Sequence, residues 1–382
     1  RPLRDLGFQR APDGPLQPPS LDKESYRRFH RSQRADKLEA NSRWLGQNQA
    51  SLIRWFADGR DVDPTAISPE IELVSKQTWQ SDLFRLASLY WQVPVSEGYG
   101  RRMRFLVWDR AHDKLMGIFA LGDAVFNQAA RDAHIGWDHH QRGESLVNLM
   151  DAYVLGALPP YSQLLGGKLV ASLIRTRNVV DAFNQRYNDS IGIISGQKKR
   201  AKLVAVTTTS ALGRSSIYNR LQLSGQKIFE PIGFTSGWGH FHFSGKIFDE
   251  LRGYLDYIKD DYADGFNFGS GPNWRIRVIR RALGRLGMDT SLARHGFSRE
   301  VFIAKLARNA EAYLRGDNKR ALYGNLPTVA EISQVARERW VVPRASRDPS
   351  YSSWKATDLL ASIHMRPVTN HELPLPTYEM GD

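Results

Sequence analysis

Residues 103–121 read MRFLVWDRAHDKLMGIFAL, and this stretch decides the fold class. Two short apolar runs, 103–109 and 114–121, flank a polar turn at positions 110–113. Runs of this length around a short polar turn are typical of a β-hairpin. The hairpin lies within a longer stretch, 71–259, where strand-like and helix-like segments alternate. We therefore predict a mixed α/β (α+β) core.

Hydrophobic patterns outside the hairpin predict the other elements of this core. A run rich in β-branched residues at 202–208 indicates a buried strand. Further strands are predicted at 148–156, 228–234 and 239–243. Helices are predicted at 167–176, 215–221 and 247–258, the last because its apolar residues recur at helical spacing.

The C-terminal third has a helical texture. A helix is predicted from residue 274 to the glycine at position 287, with one apolar stripe and arginines largely outside it. A second helix is predicted over 298–316. Thr328 and Glu331 form the pattern of a capping box, which predicts a third helix.

These textures divide the chain into four predicted segments. They are a basic, partly disordered or helical N-terminal arm (1–65), an α/β core (66–262), a basic helical region (263–345) and a tail (346–382).

Composition narrows the classes of protein. The chain has 382 residues, 41% of them hydrophobic, so a sizeable core is possible. It has no cysteine, which excludes disulfides, thiolate zinc sites and cysteine nucleophiles. No apolar run is long enough for a membrane helix, so we expect a cytoplasmic protein with no membrane partner. The net charge of +13 favours a polyanionic partner, DNA above all.

Two basic stretches are the candidate nucleic-acid contacts. They comprise Lys198, Lys199 and Arg200 in one stretch and Arg275, Arg277, Arg281 and Arg285 in the predicted basic helix. Phosphate contact is one interpretation of both. A solvated turn for the first, and a partner helix or acidic protein for the second, are the alternatives. The aromatic residues Tyr26, Phe29, Trp44 and Trp55 lie near arginines and either stack bases or belong to the core.

Carboxylates and imidazoles crowd the loop around residues 132–144. Asp138 and His139 are candidate metal ligands there, and Asp138 and Arg142 are candidate catalytic residues. His240 and His242 alternate on a predicted strand and form a second candidate metal pair. The alternatives are a solvated charged loop for the first group and packed histidines for the second.

Hydroxyl residues between positions 207 and 216 suggest a nucleophile at first sight. The segment lacks a G-x-S-x-G elbow and a placed histidine, so we reject that interpretation. We expect a hydroxyl at this strand end to cap the next helix instead.

Several blocks resemble the DruA family of the Druantia anti-phage defence system. They are residues 104–121, 133–138, 158–172, 206–221 and 233–244, with a looser match extending over most of 75–345. The resemblance implies a role in anti-phage defence or carriage on a mobile element. It also implies other Druantia proteins as partners, including a helicase-like subunit. It supplies no known active site.

A fold-level resemblance to GNAT acyltransferases rests on a glycine turn before a helix. Gln163, Gly166, Gly167 and Lys168 are similar to the turn that holds the pyrophosphate of coenzyme A in that fold. The pattern departs from the family at Lys168, where a small residue is expected. The order of elements also resembles a GNAT-like central sheet, and Tyr218 takes the place of a tyrosine that protonates the leaving thiolate.

Three functional hypotheses follow. The first is a defence or mobile-element protein that binds DNA through basic surfaces and processes it. The alternatives are an acyl-CoA-dependent GNAT-type N-acyltransferase and a metal-dependent nuclease or DNA strand-transfer enzyme. Whether the chain is an enzyme stays open, and the cofactor is left open between a divalent metal ion and coenzyme A.

Overall fold

A computed structural model describes residues 7–10, 12, 16–17, 22–95, 100–188, 190–191, 198–239, 243, 245–260 and 274–364. Its centre is a seven-stranded mixed sheet. The strands are β1 (Pro69–Leu73), β2 (Arg102–Asp109), β3 (Lys114–Asp123), β4 (Leu149–Ala157), β5 (Ala205–Thr209), β6 (Glu230–Phe234) and β7 (Glu300–Lys305). The strand order is β6-β7-β5-β4-β3-β2-β1. The predicted mixed α/β class is confirmed.

The helices precede, connect and follow these strands. They are α1 (Lys23–Phe29), α2 (Arg31–Leu52), α3 (Trp79–Ser88), α4 (Ala129–Ile135), α5 (His139–Ser145), α6 (Gly166–Leu173), α7 (Arg177–Tyr187), α8 (Ser216–Arg220), α9 (Gly245–Tyr257), α10 (Trp274–Arg285), α11 (Ala310–Leu314), α12 (Val329–Ala336), α13 (Val342–Arg347) and α14 (Ala356–His364). Among the described residues no helix is both long and apolar enough to cross a membrane.

The predicted hairpin is confirmed as β2 and β3. The two strands pair antiparallel from Arg102↔Gly122 to Asp109↔Lys114. β4 then pairs antiparallel with β3 and parallel with β5. The parallel pairing covers only three residues, from Leu149↔Ala205 to Asp151↔Thr207. Beyond Asp151 the ladder between β4 and β5 ends, although both strands continue.

Helices cover both faces of the sheet. On one face α6, α7 and α12 pack through Leu169, Val179 and Ile332 against residues such as Phe105 and Phe119. The opposite face, which we call the second face, carries two separate apolar clusters. Because successive side chains in a strand point to opposite faces, each strand contributes to both layers.

The two clusters of the second face lie under different helices. Leu45 of α2 and Leu83 of α3 cover the β1–β3 side, together with Leu359 of α14. Ile135 of α4 and Leu314 of α11 cover the β5–β7 side. The N-terminal helices α1 and α2 thus pack on the rest of the chain: the Arg34 guanidinium, for example, donates to the Ser362 carbonyl.

The predicted helix over 298–316 is wrong in its first half, where β7 lies, while α11 occupies part of the rest. Residues Val301, Phe302, Ile303 and Ala304 are all fully buried. β7 lies between β5 and β6, and both of its faces are covered, so no alternation marked it as a strand. The predicted strand 239–243 falls mostly outside the described residues.

A helical hairpin is inserted between the neighbouring strands β6 and β7. α9 and α10 pack through Phe248, Leu255, Ile279 and Leu283. The chain enters and leaves the hairpin side by side, since Trp238 and Arg294 form an antiparallel bridge and the Gly239 amide donates to the Ala293 carbonyl. The hairpin is therefore attached to the sheet through two chain segments that are hydrogen-bonded to each other.

Candidate functional site

A polar group lies between the two apolar clusters of the second face. In β4, Leu149 belongs to the cluster under α4 and Val154 to the cluster under α2 and α3. Alternation from Leu149 places Asp151 on the same face. A register shift between Ala152 and Val154 returns Val154 to this face, so Asp151 lies between the two clusters. Asp151, Thr207, Arg131 and Arg299, joined by the contacts below, are called the Asp151 cluster.

Asp151 is held by its neighbour on β5. Its Oδ1 accepts a hydrogen bond of 2.9 Å from the Thr207 hydroxyl. Burial raises the pKa of Asp151 to about 6, although the Thr207 hydrogen bond and the charges of Arg131 and Arg299 lower it. Near neutral pH this carboxyl is thus poised to gain or lose a proton, which is typical of functional carboxyls.

Arg131 supplies a fixed positive charge beside Asp151. Its side chain is fully buried. It donates to the carbonyls of Val125 (2.7 Å) and Phe126 (2.9 Å) and to Asp132 Oδ1 (2.6 Å from one terminal nitrogen). Asp132 also accepts from the Trp137 indole at 3.0 Å. These hydrogen bonds hold the guanidinium in one position, so its positive charge is fixed beside Asp151.

Arg299 is the other cation of the cluster. It immediately precedes β7, and burial lowers its pKa while the charges of Asp151 and Tyr26 raise it. Its guanidinium donates no hydrogen bond to any residue that the structure describes, whereas its backbone amide donates to Thr235 Oγ1. Its charge also lowers the pKa of His30, after the larger effect of burial. Arg299 is therefore a half-buried cation whose guanidinium makes no hydrogen bond within the described part of the chain.

Further polar residues continue this row across the second face. Tyr153 follows Asp151 along β4, and burial raises the pKa of its phenol while the charges of Arg104 and Arg102 lower it. Arg102 and Arg104 stand on β2. The row from β2 to β5 spans three strand spacings, roughly 14 Å.

The predicted catalytic pair Asp138 and Arg142 has structural partners. Asp138 caps α5: its Oδ1 accepts from the Gln141 amide at 2.8 Å, and its own amide donates to Gln141 Oε1. Arg142 donates to Asp132 Oδ2 at 2.8 Å. Asp138 therefore lies on the edge of the Arg131–Asp132 network rather than in the Asp151 cluster, and its role in catalysis stays a prediction.

The predicted metal ligands do not converge in the described residues. His139 meets the Phe126 ring edge-on, with ring centroids 5.3 Å apart. His240 and His242 lie outside the described residues. His134, Glu230 and Glu311 do bring ligand atoms together. However, Lys305 Nζ binds Glu230 at 3.0 Å and Glu311 at 3.1 Å, so a protein cation already neutralises these carboxylates.

In the glycine turn before α6, part of the backbone that a ligand would contact is already bonded within the protein. The Gly166 amide donates to the Tyr161 carbonyl at 2.8 Å. A Cβ on Gly166 would lie 2.6 Å from that same oxygen, so close packing explains this glycine. Gly167 is open, with its nearest neighbour 4.0 Å away. Burial, and then Arg339 and Arg220, lower the pKa of Lys168.

Gln163 and Tyr218 complete the predicted cofactor side. Gln163 Oε1 is buried without a hydrogen-bond partner among the described residues, and Tyr218 packs against Phe229 and Phe302 at 4.8 and 5.3 Å. Burial raises the pKa of Tyr218 to about 12. Phe302 belongs to the face opposite Asp151, so Tyr218 and the Asp151 cluster lie on different sides of the sheet.

The predicted basic helix is confirmed as α10, with Val278, Ile279, Ala282 and Leu283 as its buried stripe. Two of its arginines are partly engaged: Arg281 and Arg285 bind the buried carboxylate of Asp260 at 3.1 and 2.7 Å. Both stay about half exposed, at 44% and 51%.

Two other arginines of α10 lie over aromatic rings. Arg275 lies over the Phe248 ring at 4.1 Å, and Arg280 lies over Trp238 at 4.3 Å. Arg277 and Arg280 are exposed, so α10 presents a positive face opposite its apolar stripe. Arg200 is exposed too, whereas the structure describes only the backbone of Lys198 and Lys199, in a short strand pair.

The aromatic residues proposed for base stacking are largely core residues. Tyr26 and Phe29 are each 3% exposed and pack with Phe8 and Phe297. Trp55 stacks on Trp79 with ring centroids 4.9 Å apart. Trp44 is covered by the Arg85 guanidinium at 4.2 Å. The base-stacking interpretation is wrong for Tyr26 and Phe29, because their rings are inaccessible.

Two cavities open elsewhere, beside the edge strand β1. They measure about 400 and 420 Å³, and Asn178 lines both of them. Neither is lined by a residue of the Asp151 cluster.

Sequence reasoning missed the Asp151 cluster. One signal was present: Asp151 is the lone charged residue of the run LMDAYVLGA at 149–157. A carboxylate in an otherwise apolar strand needs partners, because an unpaired buried charge is costly. The partners Arg131 and Arg299 are distant in sequence, and no spacing pattern connects them.

Comparison with known proteins gives one family. The profile of the family described as "Druantia protein DruA" matches residues 20–316. The chain is 52% identical over 361 residues to Druantia protein DruA of Escherichia coli (strain UMEA 4076-1), covering 94% of this chain and 89% of the relative. No solved structure matches the chain.

Proposed function

Because the chain belongs to the Druantia protein DruA family, we propose that it acts in anti-phage defence by binding DNA through the basic face of α10. Family membership supports the defence role. The DNA-binding part rests on one observation, the segregation of arginines from the apolar stripe of α10. Such a face fits the regularly spaced phosphates of a nucleic acid without reading its sequence.

The charge of the whole chain supports the same proposal. With a net charge of +13, the protein attracts polyanions before any specific contact forms. We extend the proposal to other proteins of the Druantia system as partners, a helicase-like subunit among them, and to the cytoplasm as the place of action. Processing of the bound DNA is the further step that this proposal leaves to experiment.

The test is the salt dependence of DNA binding by the full chain. Fluorescence anisotropy with a labelled duplex and a labelled single strand gives the affinity at several salt concentrations. We expect the Arg277→Gln/Arg280→Gln variant to bind more weakly. Its slope of log affinity against log salt should be reduced by about 0.9 for each phosphate that it no longer neutralises.

Arg60→Gln is the control for a charge outside α10, because Arg60 is 77% exposed; it removes one charge where the α10 variant removes two. It removes a positive charge and is expected to leave the slope unchanged. DNA binding by wild-type protein that is absent at low salt, or a slope equal in all three proteins, would contradict the proposal.

A second candidate is the acyl-CoA-dependent N-acyltransferase. Two observations favour it: β4 and β5 stop pairing after Asp151 and Thr207, and the open Gly167 is the second residue of α6, the helix that follows β4. A separation between parallel strands next to a helix start can admit an extended ligand with a pyrophosphate. Thermal unfolding with and without saturating coenzyme A tests it, and an unchanged melting temperature counts against it.

A further inference from the structure

The second face of the sheet contains cations that lie outside α10 and have no role in the proposed function. The charges of Arg131 and Arg299 both act on one carboxyl, Asp151, and Arg102 and Arg104 extend the row on β2. Arg131 already has Asp132 as its counter-ion. Among the described residues, Asp151 is then the single carboxylate whose charge acts on Arg299.

We propose that the Asp151 cluster binds a phosphodiester of a nucleic-acid strand, with Arg299 donating to the phosphate oxygens and Arg131 supplying a fixed charge beside it. This site deepens the proposed function, since it rests on nucleic acid being the partner and names a second point of contact on the sheet. Arg299 has the required donors, because its guanidinium donates to none of the described residues. A planar guanidinium binds phosphate oxygens through two parallel hydrogen bonds.

The geometry favours a strand over an isolated ion. The row from Arg104 to Thr207 covers roughly 14 Å of sheet, which accommodates two or three successive phosphates of an extended strand. Tyr153 also lies within the row, beside Arg104, and offers a phenol hydroxyl to it. The polar row thus offers more than one anchoring group, as a strand requires.

Asp151 makes the site sensitive to pH. The charges of Arg131 and Arg299 and the hydroxyl of Thr207 face it, while Tyr26 and His30 face Arg299. A charged Asp151 repels a phosphate, and a protonated Asp151 does not. Phosphodiester binding therefore strengthens as the pH falls through about 6, where Asp151 takes up its proton.

The test uses a thymidine tetranucleotide without terminal phosphates, because its diesters keep one negative charge across the tested range. Its affinity for the full chain is measured by calorimetry from about pH 5.5 to about pH 8. We expect Arg299→Gln to weaken binding about tenfold or more, and Arg299→Lys to retain part of it. Asp151→Asn is expected to bind tightly with little pH dependence, which separates Asp151 from His30 as the titrating group.

Arg60→Gln serves as the charge-matched control and is expected to bind like the wild type. Circular dichroism melting confirms that each variant is folded. Absence of tetranucleotide binding at every pH overturns the inference, as does binding that Arg299→Gln leaves unchanged. Binding abolished in Arg277→Gln/Arg280→Gln and kept in Arg299→Gln places the diester on α10 and also overturns it.

The two proposals fail in different ways. Salt-dependent binding of a long duplex without binding of the tetranucleotide leaves the role of α10 intact and removes the sheet site. Binding of the tetranucleotide that depends on Arg299, without any effect of the α10 variant on the duplex, supports the sheet site and contradicts the assignment of DNA binding to α10.

Discussion

The Thr207 hydroxyl donates a 2.9 Å hydrogen bond to Asp151 Oδ1 across the parallel pair of strands β4 and β5. Burial nevertheless raises the pKa of Asp151 to about 6, from 3.8. The folded state therefore binds this proton more tightly than the unfolded chain does. Below about pH 4, Asp151 is protonated in both states and does not lower the free energy of unfolding. As the pH rises through about 6, its ionisation lowers the free energy of unfolding.

Asp151→Asn is expected to stabilise the protein at about pH 8, by roughly 1–3 kcal/mol, because the amide needs no desolvation of a charge and still accepts from Thr207. The gain should shrink below about pH 6 and vanish below about pH 4. Urea unfolding at several pH values measures it. A difference that does not vary with pH would mean that Asp151 does not titrate in this range.

Asp138 is expected to matter through helix capping. Asp138→Ala removes the acceptor for the Gln141 amide and should lower the free energy of unfolding by about 1 kcal/mol. Asp138→Asn keeps a capping side chain and should stay close to the wild type. If instead Asp138→Asn abolishes metal-dependent DNA cleavage while stability is unchanged, the nuclease hypothesis gains its ligand.

The two adjacent glycines of the turn before α6 should respond differently to alanine. In Gly166→Ala the new Cβ meets the Tyr161 backbone oxygen at 2.6 Å, so a loss of roughly 1–3 kcal/mol is expected. In Gly167→Ala no atom lies closer than 4.0 Å, and a helix gains about 1 kcal/mol from alanine over glycine. Thermal unfolding of both variants checks this, and equal losses would contradict it.

Asp260 is expected to restrain DNA binding. Its buried carboxylate neutralises part of the charge of Arg281 and Arg285. Asp260→Asn should raise the affinity for DNA and steepen its salt dependence by about 0.9 for each additional phosphate neutralised, at the cost of a less stable α9–α10 hairpin. Anisotropy at several salt concentrations measures the first effect. An unchanged slope would show that these two arginines do not bind phosphate.

Elements with a local signal were predictable from the sequence. The β2–β3 hairpin, the apolar stripe of α10 and the capping box of α12 are confirmed, because each is written in neighbouring residues. Ser215 also caps α8 as expected, since its Oγ accepts from the Tyr218 amide. In each case turn chemistry, periodicity or a cap decides the structure before tertiary contacts form.

Elements decided by tertiary contacts were not predictable. β7 looked helical because Phe302, Leu306 and Ala310 recur at a spacing of four, but its position between two strands buries every residue except Lys305. The Asp151 cluster forms only where β4, α4 and the segment before β7 come together, and no local sequence pattern predicts this contact. Asp138 was predicted to be a functional residue because it is a carboxylate close to histidines in the sequence. The structure shows instead that it caps a helix through Gln141.

The α9–α10 hairpin leaves the sheet through a stem in which the Gly237 carbonyl accepts from the amides of His295 and Gly296. In the described part of this hairpin the buried apolar residues come from α9 and α10 themselves, so changes among them are expected to leave the register of β6 and β7 intact.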